Sequence, residues 1–83
     1  MEFIVFRNPK LLLRKERFGG IVRLQNELLI LGKKEYTILE KIAKYINYNA
    51  LSKNEKGIAD KFLKFNILLK IEKDEAEKII NYS

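Results

Sequence analysis

The sequence predicts an α+β domain in which a three-stranded antiparallel meander is followed by two to three helices. Three observations carry this. Lys10–Phe18, Gly20–Gln25 and Glu27–Gly32 are short runs of strand character separated by tight-turn residues. Tyr36, Leu39, Ile42, Ala43 and Ile46 recur at helical spacing. A Ser52-Lys53-Asn54-Glu55 stretch has the form of a capping box and opens a second helical pattern.

Phe3-Ile4-Val5-Phe6 comes first, an apolar run with β-favouring residues that stops at Asn8-Pro9. Pro9 has no N–H and restricts its predecessor, so a turn is expected there. Residues 1–9 form a lead-in strand or arm. In the next run Leu11 and Leu13 share one face, and Leu12 and Arg14 the other. Phe18-Gly19-Gly20 is expected to reverse the chain, because two glycines tolerate positive φ. Val22 and Leu24 then alternate with Arg23 and Gln25. Asn26-Glu27 supplies the second turn, and residues 10–32 complete the meander.

Gly32 ends the third strand, and a helix is expected over Lys33–Ile46, with Ile38 and Tyr45 widening its apolar stripe. Asn47–Leu51 reads as a loop or one short helical turn. The second helix runs from about Lys53 to Phe65, with Ile58, Phe62 and Phe65 on one stripe, and Asn66 is placed as its left-handed C′ residue. Ile67–Ile71 is a short apolar strand or extended return, which closes a helical half spanning 33–72. Residues 73–83 form a C-terminal helix bearing Ala76, Ile79 and Ile80, fraying near Ser83. All 83 residues make one domain, near the size at which a single core just suffices.

Composition narrows the function classes. The chain has no Cys and no His, so disulfides, thiol chemistry and zinc sites built on those residues are excluded. No enzymatic activity, no cofactor and no metal are expected. A net charge of +6 suits an acidic partner, or simply a lysine-rich solvated surface. No apolar run is long enough to span a membrane, and the N-terminal segment does not read as a signal peptide, so a cytoplasmic location is expected.

The run Leu28-Leu29-Ile30-Leu31 is apolar on both faces. Such a strand is either central and covered on both sides, or an edge that accepts a strand from another chain. Whether Phe3–Phe6 folds onto this edge decides between a closed and an open sheet. Gly19-Gly20 precedes a strand rather than a helix N-terminus, so a turn device is expected and not a phosphate cradle. Arg14, Lys15 and Arg17 form a basic cluster at the first hairpin, either a solvated tip or a contact for another protein.

Two stretches resemble a known family. Leu13-Arg14-Lys15-Glu16-Arg17-Phe18-Gly19-Gly20-Ile21-Val22 is similar to the first hairpin of the PqqD-like RiPP recognition element, most of all in the mycofactocin-type leader-binding chaperones. Phe65-Asn66-Ile67-Leu68 resembles the helix-end Gly-Leu-Leu element of that family, with Asn in place of Gly. The resemblance covers roughly residues 8–72, and the family's middle helix is compressed here into Asn47–Leu51. It implies a winged-helix-like, peptide-binding chaperone of natural-product biosynthesis. Such a protein captures the leader of a ribosomally made precursor peptide by strand addition and presents it to a radical S-adenosylmethionine enzyme. Carried onto this chain, the edge is Leu28, Leu29, Ile30 and Leu31, and the helix wall is Ile58, Lys61, Phe62 and Phe65. Phe62 and Phe65 also fit ordinary core positions, and Lys61 and Lys64 could meet acidic leader residues.

Two other functions fit the same sequence. One is a small winged-helix DNA-binding protein. The exposed face of the second helix offers Lys56, Asp60, Lys61 and Lys64 and no Arg, a set suited to phosphates rather than base edges, so nucleic acid is disfavoured as a partner. The other is a dimerisation module using the same strand edge on itself. A monomer or weak homodimer is expected.

Overall fold

A computed structural model describes the backbone of residues 2–81 and the side chains of residues 2–78. The chain is α+β, with two three-stranded antiparallel sheets and three α-helices among the described residues. Strand β1 (Phe3–Arg7) begins the chain. The meander follows as β2 (Leu12–Glu16), β3 (Gly19–Leu24) and β4 (Glu27–Gly32). Helix α1 (Lys33–Lys41) leads to a two-residue strand β5 (Ile46–Asn47) and a single 3-10 turn at Tyr48–Ala50. Helix α2 (Lys53–Lys64), strand β6 (Leu68–Glu72) and helix α3 (Lys73–Asn81) complete it.

One sheet is the meander, in the order β2-β3-β4. The other has β1 between β5 and β6, which sets Val5 opposite both Ile46 and Lys70. The lead-in run is therefore the central strand of a separate sheet and does not lie against β4. Val5 is fully buried there.

Both hairpin turns fall earlier than the sequence suggested. Arg17-Phe18 turns the first, between the paired Glu16 and Gly19, and Gln25-Asn26 turns the second, between Leu24 and Glu27. Gly19 and Gly20 are buried strand residues rather than the reversal. Their missing side chains serve close approach: a Cβ on Gly20 would collide with the ring of Tyr36, and one on Gly19 with the β4 backbone at Leu31 and Gly32. Gln25 takes the positive φ of 56° that the second turn requires.

Helix α1 stops at Lys41, five residues short of the expected Ile46. Ile42 leaves helical geometry at ψ 53° while its N–H still reaches the carbonyl of Ile38. The chain must unwind here so that Ile46 and Asn47 can pair with Val5 and Ile4. Ala43 and Tyr45, expected on the helical stripe, are exposed, and Tyr45 instead tilts against the Phe6 ring at 5.0 Å between centroids.

Both ends of α2 follow the sequence signals. Ser52 Oγ accepts from the N–H of Glu55, and Glu55 Oε1 accepts from the N–H of Ser52 at 2.8 Å. At the other end Asn66 has φ 62°, Ile67 N–H donates to Phe62 O, and Asn66 N–H to Leu63 O. This is the six-to-one and five-to-two pairing of a Schellman motif, and it turns Ile67 into the core beside Phe62. Asn8 fastens the turn after β1 to the same place, donating from Nδ2 to Asn66 O and from its N–H to Ile67 O.

The core joins Val5, Val22, Leu39, Ile42, Phe62, Ile67 and Leu68, with Leu13, Leu29 and Leu31 packed at its margin. It lies between the inner face of the meander, helices α1 and α2, and the β1-centred sheet. Ala76 of α3 is buried, while the side chains of Ile79 and Ile80 and all of Tyr82 and Ser83 lie outside the described residues. No described helix is long and apolar enough to cross a membrane.

Candidate functional site: the open edge of the meander

Strand β4 pairs with β3 through Gly19–Gly32, Gly20–Leu31, Ile21–Ile30, Val22–Leu29, Arg23–Leu28 and Leu24–Glu27, and it ends the sheet order. Because the connecting turn has two residues, Leu24 and Glu27 form the first hydrogen-bonded pair of the ladder, and bonded and non-bonded pairs alternate from there. Glu27, Leu29 and Leu31 thus direct their backbone groups toward β3. Leu28 and Ile30 direct theirs to the open side. The first hairpin, counted the same way from Glu16–Gly19, assigns β3 residues to β2 and β4 in the matching alternation.

The side chains of β4 alternate too. Leu29 and Leu31 pack on the core margin, while Leu28 and Ile30 are 66 % and 76 % exposed. The run is therefore covered on one face only. Among the described residues it is neither a central strand nor sealed under the helices, and the apolar reading of both faces did not foresee exposure of this size.

The helix wall is built differently from the expectation. Helix α1, continuing directly from Gly32, packs against β3 and β4, whereas α2 packs against β6 and α1. Phe62 is 4 % exposed and belongs to the core, so it cannot line a surface groove. Ile58 packs at the core margin and lines an open cleft of about 670 Å³ between α1 and the first turns of α2, with Lys33, Lys34, Thr37 and Asn54 around it. Lys61 and Phe65 are exposed, Phe65 at the C-terminal end of α2. The cavities described include none lined jointly by β4 and α2. Leu28–Leu31 thus stand together as an edge, and the four helix positions do not form one wall beside it.

Charges brace the cleft. Lys41 Nζ meets Glu55 Oε2 at 2.7 Å, linking the end of α1 to the start of α2. That bond, then the backbone N–H of Ser52, holds the Glu55 carboxyl below its ordinary value. Further along α2, Tyr48 Oη donates to Asp60 Oδ1 at 2.7 Å, which raises the phenol above its ordinary value.

Sequence reasoning missed the contribution of α1, through Lys33, Lys34 and Thr37, and the outward array of the meander. The array was within reach: alternation had already put Leu12 and Arg14 on one face, and only the cross-strand register was lacking.

Comparison with family models, with curated proteins and with solved structures yields no match. The class defined by fold and site is a small α+β domain with an open, aliphatic sheet edge.

Proposed function

We propose that this protein is a peptide-binding chaperone that receives the leader of a ribosomally made precursor peptide as an added strand on β4 and presents it to a modifying enzyme, a radical S-adenosylmethionine protein. In this reading the meander and following helices form a winged-helix-like unit, and the domain itself performs no catalysis. The observation that carries the reading is the free rim of β4. Among the described residues no strand pairs with the outer side of β4, where Leu28 and Ile30 offer backbone groups and exposed side chains together, and Phe3–Phe6 is engaged in the other sheet.

Main-chain bonds alone, at about 0.5–1.5 kcal/mol each, do not offset an association cost of about 4–15 kcal/mol. The guest's alternate side chains must therefore pack beside Leu28 and Ile30 on one face and near Leu29 and Leu31 on the other. Ile58 in the α1–α2 cleft, and exposed Lys61 and Phe65, serve flanking parts of the leader; Phe62 supports from within. An exposed lysine pair adds about 0–1 kcal/mol and tunes approach more than retention.

The test is amide hydrogen exchange with synthetic peptides taken from short reading frames adjoining the gene. Leu28 and Ile30 amides should exchange fast in the free protein and become protected on binding. Ile30→Pro removes an outward donor without touching the β3 ladder, so it should abolish binding while circular dichroism stays unchanged. Slow exchange at Leu28 and Ile30 in the free monomer would sink the reading. So would tight binding of duplex DNA with a steep salt slope and no peptide binding.

A further inference from the structure

The register of the meander sets its outward side chains in rows across three strands. One row is Leu12-Arg23-Leu28, the next Arg14-Ile21-Ile30, and the last Glu16-Gly19-Gly32. Four aliphatic side chains and two arginines thus share one face, and Leu12, Leu28 and Ile30 are 63 %, 66 % and 76 % exposed. Arg14 pairs with Glu16, whereas Arg23 contacts no carboxylate among the described residues and uses its Nε only toward the carbonyl of Gln25. Among the described residues no element covers these side chains. Exposed aliphatics contiguous on one face mark a contact surface far more often than singly scattered ones do.

We infer that this outer face docks a protein partner presenting apolar side chains flanked by carboxylates. Charge complementarity selects that occupant. Two copies stacked face to face would bring Arg14 and Arg23 of each into one interface, between chains that each carry +6. A uniformly anionic lipid surface would meet Glu16 in the third row as well as the two arginines. A protein surface can set its carboxylates beside Arg23, two rows from Glu16, while its apolar side chains cover Leu12, Ile21, Leu28 and Ile30. The face shares Leu28 and Ile30 with the strand-addition rim but extends to Leu12 on β2, at the opposite edge of the sheet, so a change at Leu12 tests it apart from that reading.

The test uses the full chain, isotopically labelled, and two designed helical peptides. Both carry a leucine stripe, flanked by glutamates in one and by lysines in the other. The glutamate peptide should shift the amides of Leu12, Ile21, Arg23, Leu28 and Ile30. It should bind at least about tenfold more tightly than the lysine peptide. Arg14→Glu combined with Arg23→Glu should weaken it by a similar factor, and so should Leu12→Ser, which alters only an exposed side chain and leaves the β4 rim intact. Equal binding of both peptides, binding of neither, or shifts confined to other surfaces would overturn the inference. So would sedimentation showing a dimer that protects this face, or co-sedimentation with phosphatidylserine vesicles without peptide binding.

Discussion

The ring of Tyr36 occupies the space that a side chain on Gly20 would need. Tyr36 is buried, and Gly20 lies opposite Leu31 in the middle of the meander, so this contact seats α1 on the sheet. Gly20→Ala is expected to destabilise the fold by about 1–3 kcal/mol, as overpacking of a rigid contact does. Gly57, on α2, has open space around its Cβ direction. Gly57→Ala should therefore raise stability by about 0.5–1 kcal/mol. Urea denaturation of both variants checks the pair.

The rings of Phe62 on α2 and of Phe65 just past its end should behave oppositely. Phe62 is 4 % exposed and Phe65 56 %. Phe62→Ala is expected to cost about 3–5 kcal/mol through the cavity it leaves. Phe65→Ala should stay within about 0.5 kcal/mol of the parent and act, if at all, on peptide affinity. Thermal melts and peptide titrations separate the two effects.

Acid should loosen the junction of α1 and α2. Bonds from Lys41, and then from Ser52, lower the Glu55 pKa from 4.5. A carboxyl whose folded value is depressed stabilises above its unfolded value, and that stabilisation is lost as pH falls through the folded value. Glu55→Gln should melt earlier than the parent at neutral pH and converge with it in acid. Parallel melting curves at every pH would contradict this.

At the alkaline end Tyr48 carries the opposite sign. Its hydrogen bond to Asp60, then its partial burial and the carboxylate charge, raise the phenol pKa from 10.0. A raised folded value stabilises below the unfolded value, and the gain disappears as pH rises through the folded value. Ring resonances of Tyr48 should titrate later in the parent than in Asp60→Ala, where only the smaller effect of burial remains. An unchanged titration would remove Asp60 as the cause.

Local chemistry made much of this legible in advance. The capping box at Ser52 and Glu55, the left-handed Asn66 and the order of the meander all rest on residues close in sequence. The second sheet was hidden because Phe3 pairs with Glu72 and Val5 with Ile46, partners that no periodicity links. The same pairing cut α1 short at Lys41, overriding an apolar spacing that continues to Ile46. For the candidate site, the β4 run was visible as an apolar segment. Its one-sided exposure, and the burial of Phe62 away from it, depended on where α1 and α2 settled.

The placement of β1 also governs how a nascent chain behaves. The meander and α1 are assembled from near neighbours and can close early, but β1 gains its longer partner only when β6 emerges. Until then β1 waits without its longer partner, and translation of residues 68–72 ends that wait.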